Sequence, residues 1–186
     1  MKTKVLLTGT FDAGKTTIAE ILARVPGVHV IPEYARELIA RGGDLWRRPE
    51  FQEMVLTEQL RREAAAELRT EDLIVCDRGT VDVACFSQLF GHPYDADLLL
   101  SGARYDLIFV FSPDDIAADH LPPHMKQARW ELEEVIETLL NHAGLPYCVI
   151  KGSTKARVGQ LLDRLADRPG LDGIIQAART LIQRKN

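Results

Sequence analysis

No apolar run in the chain approaches the ~18 residues that a membrane-spanning helix requires. Cysteine is scarce: Cys76, Cys85 and Cys148 are odd in number, scattered and set in apolar runs. A disulfide framework is thereby excluded, and reduced, buried thiols in a reducing compartment are expected. Basic residues are not in excess either. Lys and Arg number 23 against 27 Asp and Glu, a net charge of −4, which argues against a dedicated nucleic-acid binder and its basic face. The opening residues, MKTKVLLTGT, hold two lysines and a short apolar stretch but no long apolar core and no small-residue cleavage site, so they read as a strand rather than an export signal. Internal repeats and low-complexity tracts are missing too. The expectation is a cytoplasmic protein with neither nucleic acid nor membrane among its partners.

What is present suits one globular α/β unit. The 186 residues are 46% hydrophobic and 27% charged, enough to bury about 70% of the unfolded chain's surface without a structural metal. Short β-rich runs alternate with helical periods, the pattern of a parallel sheet. Val5–Thr8, Val28–Ile31, Leu73–Cys76, Asp106–Phe111 and Tyr147–Ile150 read as five strands. Between them, Ile18, Ile21, Leu22 and Val25 mark one helix, and Phe51, Met54, Val55, Ala65 and Leu68 are expected to form the apolar face of a second that begins at Pro49. A further helix runs to Phe90. Leu132, Val135, Ile136, Leu139 and Leu140 fall at i, i+3, i+4, i+7 and i+8, a strongly amphipathic helix. Val158, Leu161, Leu162 and Leu165 define another. Beyond Arg168-Pro169-Gly170, a last helical stretch through Leu181 ends in Arg184 and Lys185. The expected division is a domain over 1–168 and a helical extension over 169–186, whose basic end is either solvated or an oligomer contact, so a homo-oligomer stays open.

Gly9-Thr10-Phe11-Asp12-Ala13-Gly14-Lys15-Thr16-Thr17 fits G-x4-G-K-[ST] and lies between an expected strand and an expected helix. Gly9 and Gly14 permit a tight loop whose backbone N–H groups, from Thr10 through Asp12 and Ala13 to Thr17, point at phosphate oxygens. The helix starting near Lys15 adds its positive end. Lys15 reaches the terminal phosphates, and the Thr16 hydroxyl binds Mg²⁺. The chain is therefore expected to bind a nucleoside triphosphate.

A P-loop alone does not separate switch, motor and kinase. The N-K-x-D guanine motif of a GTPase does not occur. A ring-forming AAA+ ATPase is expected to need a longer chain with its own lid domain. A small kinase needs a second carboxylate near the metal, a base for the acceptor hydroxyl and cations for the transferring group. Asp77, closing the third strand, is positioned to hold Mg²⁺ with Thr16, and Arg78 beside it to reach phosphate or steady a carboxylate. Glu33, following the second strand, is the candidate base. Tyr34, Arg36 and Asp82 are assigned with it to the acceptor. Lys126 and Arg129, three apart, are expected to face the phosphates as a helical lid. Asp119-His120-Leu121-Pro122-Pro123-His124 precedes that lid. Its prolines prevent a regular helical pairing of the two histidines and no third ligand is evident, so it reads as a stiffened loop rather than a zinc site. After the fifth strand, Lys151-Gly152-Ser153-Thr154-Lys155 reads either as backbone contact to a base or as a plain helix N-cap at Ser153 or Thr154.

In combination these residues resemble the ribosylnicotinamide kinase domain of NadR-type proteins and the small P-loop kinases related to it. The resemblance runs from about Lys4 to Leu165. It rests on the P-loop, on Glu33-Tyr34-Ala35-Arg36-Glu37, Gly42-Gly43-Asp44, Phe51-Gln52-x-Met54 with Gln59, Asp77, Tyr105-Asp106, and Arg129 at its distance from Leu145-Pro146-Tyr147. Asp77-Arg78-Gly79 is also similar to the D/E-R-[SG] element of deoxynucleoside kinases, whose base is a glutamate after the second strand. The resemblance implies an adenine site after the fifth strand and a nucleoside-kinase-like fold. One departure concerns the acceptor: the family's ring-stacking tryptophan before the Glu-Tyr pair is Pro32 here, so stacking worth about 1 kcal/mol must come from another aromatic, with Trp46, Phe51 and Tyr34 available. The kinase chemistry is better supported than the nicotinamide acceptor. The expected activity is ATP- and Mg²⁺-dependent transfer of the γ-phosphoryl group to a hydroxyl of a nucleoside-like or other small metabolite, with Lys15, Glu33, Asp77, Arg78 and Arg129 as its catalytic set. The rival is a regulatory P-loop ATPase without a small acceptor.

Overall fold

The computed structural model describes residues 2–42, 44–97, 105–114, 116 and 119–183. Gly43, Arg184 and Lys185 lie outside them. Five strands form one sheet in the order β2-β3-β1-β4-β5. They are β1 Thr3–Gly9, β2 Val28–Ile31, β3 Leu73–Asp77, β4 Leu107–Phe111 and β5 Cys148–Ile150, and every pairing is parallel. Parallel strands need crossovers, and these are helical. Among the described residues there are seven α-helices: α1 Lys15–Leu22, α2 Tyr34–Ala40, α3 Glu50–Glu67, α4 Thr80–Leu89, α5 Pro123–His142, α6 Thr154–Leu165 and α7 Asp172–Gln183. A 3₁₀ turn covers Leu45–Arg47.

The near-continuous apolar strands are explained by burial on both faces. Val5 and Leu7 of β1 point with Val75, Phe109 and Phe111 into a core closed by α1, α6 and α7. Leu6 points the other way, with Ile74, Cys76, Ile108 and Val110, against α2 to α5. Ile174, Ile175 and Ala178 of α7 join the first of these cores, so the last helix is seated on the same hydrophobic layer as α1. Cys76 and Cys85 are buried and Cys148 is half-buried; all three are free thiols. None of the described helices is long and apolar enough to cross a membrane.

Two readings of helix faces change. Leu68, expected on the inner face of the long third helix, is 88% exposed, and Met54 and Ala65 also face solvent. The buried face of α3 is Phe51, Gln52, Val55, Gln59, Glu63 and Ala66. Its central inward positions are polar, so apolar periodicity cannot find them. The lid helix begins earlier than expected: Pro123 sits in its first turn, where a missing N–H costs nothing, which places His124 inside α5.

Strand register sets the site. Leu7 pairs with Asp77 and Gly9 with Phe111, so the loops after β1 and β3 leave the sheet side by side. β1 connects to the edge strand β2, while β3 and β4 flank it. That reversal of strand order opens a crevice at the carboxyl ends.

Candidate functional site

At Gly9 the chain leaves β1 with φ 131, and a Cβ there would lie 2.5 Å from the Phe111 carbonyl. Only glycine fits so close a backbone approach. Asp12 and Gly14 also have positive φ, 54 and 81, and alternation of left- and right-handed residues turns successive amides toward one point. Cations hold the loop from outside. Lys15 Nζ donates to the carbonyls of Gly9 at 3.0 Å and Thr10 at 2.5 Å. Arg78 Nη1 reaches Gly9 O at 3.1 Å, and Arg129 Nη2 reaches Asp12 O at 3.2 Å. Burial, and next the Arg78 guanidinium, push the Lys15 ammonium down to about 7. Alongside runs a cleft of about 390 Å³ lined by Ala13, Thr16 and Thr17 together with Arg36, Arg78, Ile116, His120 and Thr154. Thr10 is buried beneath the loop.

Asp77 faces Thr16, whose Oγ1 donates to Oδ2 at 2.8 Å. The second oxygen, Oδ1, is buried without a hydrogen-bond partner. Burial pushes this carboxyl up, against the Thr16 bond. An open carboxylate lone pair beside a hydroxyl suits a hard divalent cation. Among the described residues no cluster of three or more His, Cys, Asp or Glu is placed to hold a metal alone, so phosphate and water would complete the coordination.

Arg78 is the junction. Its φ of 71 is left-handed, a conformation that costs a non-glycine residue about 1–2 kcal/mol. Nη1 donates to Asp82 Oδ1 at 2.6 Å, and Nε lies 2.8 Å from Glu33 Oε1 as an ion pair off the hydrogen-bond axis. Asp82 also accepts from Thr8 Oγ1 and from the Gly79 amide, each at 3.0 Å, which caps α4. Beneath the turn lies a buried polar network. Gln59 Nε2 donates to Arg78 O at 3.3 Å and to Glu63 Oε1 at 2.8 Å; Tyr105 donates to that same oxygen at 2.7 Å and accepts from Thr80 N. Lys4 Nζ pairs with Glu63 at 3.1 Å. A Cβ on Gly79 would collide with the Tyr105 hydroxyl. These partners account for the polar inner face of α3. The spacing Gln59–Glu63, i and i+4, was the available signal, but only Gln59 is picked out by sequence.

On the far side of Arg78 lies a cavity of about 160 Å³ with Glu33 at its edge. Its walls are largely aromatic, from Tyr34, Trp46, Phe51, Phe86 and Phe90, with Gln52 and Gln59 among the polar groups. Phe86 stacks on Phe90 at 6.2 Å, and Trp46 tilts against Phe90 at 6.1 Å. Pro32 contributes nothing to this lining; Phe86 and Phe90, which sequence reasoning passed over, do. Glu37 turns away to a two-pronged bond with Arg62 at 2.6 and 2.8 Å.

The structure thus brings Gly9, Thr10, Asp12, Ala13, Gly14, Lys15, Thr16 and Thr17 into one loop, and Glu33, Asp77, Arg78 and Asp82 around its end. Tyr34 lines the aromatic cavity, and Arg36 sits exposed at the cleft, 3.2 Å from Glu33. Arg129, 4% exposed, reaches the loop. The Lys126 ammonium lies 3.6 Å from Asp119. His120 stands 3.2 Å from Asp12.

The parallel sheet, the crevice and the amide-lined loop define a P-loop protein with a nucleoside- and nucleotide-kinase-like fold. Residues 4–157 match the family model AAA_28, described as an AAA domain, and the chain belongs to that family. No curated protein matches it. Among solved structures it is similar to NadR protein in complex with NR (TM-score 0.72, 19% identity, 91% of this chain and 52% of that one). It is similar also to NadR in complex with NAD and AMP-PNP (0.70, 20%, 91% and 50%). The chain spans about half the length of these NadR structures. A deoxyadenosine kinase from M. mycoides with bound dATP (0.56, 18%, 88% and 99%) and a thymidylate kinase from Ehrlichia chaffeensis (0.56, 17%, 86% and 97%) share the fold over nearly their full lengths.

Proposed function

We propose that the protein is an ATP- and Mg²⁺-dependent kinase that phosphorylates a hydroxyl of a nucleoside-like small metabolite. The observation that carries this reading is the position of Arg78, which borders both the P-loop cleft and the aromatic cavity, with Glu33 2.8 Å away. A regulatory ATPase has no use for a second, aromatic cavity opening at the end of its phosphate loop.

In this reading the triphosphate lies along residues 9–17, its terminal group toward Arg78 and Arg36. Thr16 and Asp77 hold Mg²⁺, which when bound neutralises phosphate charge and orients the polyphosphate. Lys15, released from the carbonyls of Gly9 and Thr10, pairs with the terminal phosphates. Glu33 takes the proton from the acceptor hydroxyl as the new O–P bond forms and the bond to the β-phosphate oxygen breaks, leaving ADP. Arg78 and Arg36 stabilise charge on the transferring group, and Arg129 keeps the loop in shape. Tyr34 and the other rings sandwich the planar part of the acceptor, while Asp82 fixes Arg78. Residues 1–168 form the working unit and 169–186 the extension, whose helix α7 shares the core of α1 and α6.

The test is ATP consumption over a panel of nucleosides, deoxynucleosides and ribosylnicotinamide, with products read by mass spectrometry. An acceptor that gains one phosphoryl mass and stimulates turnover is expected. Glu33→Gln is expected to keep nucleotide affinity and slow transfer by about 10²-fold or more. ATP-dependent partner binding with no stimulation by any acceptor decides for the regulatory reading.

A further inference from the structure

One buried cation takes no part in the chemistry above. Arg157, in the first turn of α6 and 1% exposed, donates to backbone carbonyls on three separate loops. Nε bonds Gly152 O at 2.6 Å, after β5. Nη1 bonds Ala13 O at 3.0 Å, in the P-loop, and Ser112 O at 3.1 Å, after β4. Nη2 bonds Ser112 O at 3.0 Å and Asp114 O at 2.6 Å. A planar guanidinium with five fixed donors can span such a set, whereas an ammonium cannot.

The loops it joins share one property. Ile116, two residues past Asp114, and Thr154, two past Gly152, line the same P-loop cleft as Arg36 and Arg78, and Ile116 Cδ1 lies 3.2 Å from where a Cβ on Gly14 would stand. With the terminal phosphate at Arg78, Ile116 and Thr154 are left to receive the nucleoside of the donor. Ser153 caps α6 through its own side chain, accepting from Ala156 N at 3.3 Å, which leaves Thr154 available to the cleft. With Lys15 turned to the phosphates, the phosphate half of the loop is still held independently of Arg157, by Arg78 at Gly9 and by Arg129 at Asp12.

We propose that Arg157 is a positioning residue for donor selection: it sets the distance from the P-loop to the walls that grip the nucleoside, and so adds affinity for ATP over bare polyphosphate. The proposal rests on the nucleotide-binding reading above. It is tested by calorimetry of the whole chain with Mg-ATP and, separately, Mg-tripolyphosphate, for the parent, Arg157→Met, Arg157→Lys and Ile116→Ala. Both Arg157 variants are expected to bind ATP about tenfold or more weakly, the size expected for losing charged hydrogen bonds, with tripolyphosphate affinity kept. Ile116→Ala, which trims the cleft wall itself, is expected to show the same ATP-specific loss in smaller measure. Equal weakening for both ligands, or no weakening, overturns the proposal. If neither Arg157 variant folds, an unchanged ATP affinity in Ile116→Ala overturns it alone. A parent that binds neither ligand removes the nucleotide-binding reading itself, a result distinct from a parent that binds both and variants that show no split.

Discussion

The two cavities that meet at Arg78 are built from different materials. The P-loop cleft is made by backbone: amides turned inward by Gly9, Asp12 and Gly14, with cations bracing the carbonyls from behind. The neighbouring cavity is made by side chains drawn from α2, the 3₁₀ turn, α3 and α4. Main-chain groups recognise what all triphosphates share. An aromatic lining recognises one shape, and changes with every substitution. In the proposed kinase, general affinity for donor would reside in the first cavity, and the identity of the acceptor in the second.

Four experiments break or sharpen this contrast. The largest effect is expected from Lys15→Ala, which removes the cation from the backbone-built side; acceptor-dependent ATP turnover should fall by about 10²-fold or more in a steady-state assay. Next is Gly79→Ala, at the seam. Its Cβ meets the Tyr105 hydroxyl and Leu6 Cδ1, and urea unfolding should show a loss of about 1–3 kcal/mol. Tyr105→Phe in the same chain is expected to recover part of that loss; no recovery would place the strain elsewhere. Trp46→Ala alters only the aromatic side. It should raise the acceptor KM about two- to tenfold, the range for one ring contact, and leave the Kd for Mg-ATP unchanged. A parallel loss of nucleotide affinity would erase the distinction between the cavities.

The smallest effect is protonic. Without ligand the Lys15 ammonium is pushed down to about 7 from an ordinary 10.5, so the unfolded chain binds more protons than the folded one between those values. Stability of the ligand-free protein therefore rises with pH across that window, while the burial penalty is fully present below it. A polyphosphate beside Nζ restores the charge. Calorimetry at pH 8 in buffers of different ionisation enthalpy should thus record uptake of about one proton on Mg-ATP binding, shrinking toward pH 6.

The same division between backbone and side chain governs what could be read from sequence. The three central strands β1, β3 and β4, buried on both faces, show as continuous apolar runs, and the phosphate loop shows as glycines at fixed spacing, because backbone demands leave few residue choices. Strand ends moved by one or two residues, as at Thr3–Gly9. The aromatic cavity was only partly legible. Tyr34, Trp46 and Phe51 stand out as aromatics near a motif, but Phe86 lies within α4 and Phe90 caps its C-terminus, with no motif beside either. Glu63 and Arg157 stayed hidden for a related reason. Each is a charged residue at an inward helical position, where pattern arguments expect leucine, and its partners lie 42 and 144 residues away at Tyr105 and Ala13. Rules of local sequence fail at such positions because long-range polar pairing overrides them.

Arg78 has a thermodynamic corollary. One guanidinium forms part of two chambers, so a guest in either that pulls it by a fraction of an ångström changes what the other presents. In the proposed kinase, donor and acceptor then cannot bind as strangers: whatever factor the first imposes on the second, the second returns in full. Ternary assembly in such an enzyme is consequently a negotiation through a single side chain, settled before any bond is broken.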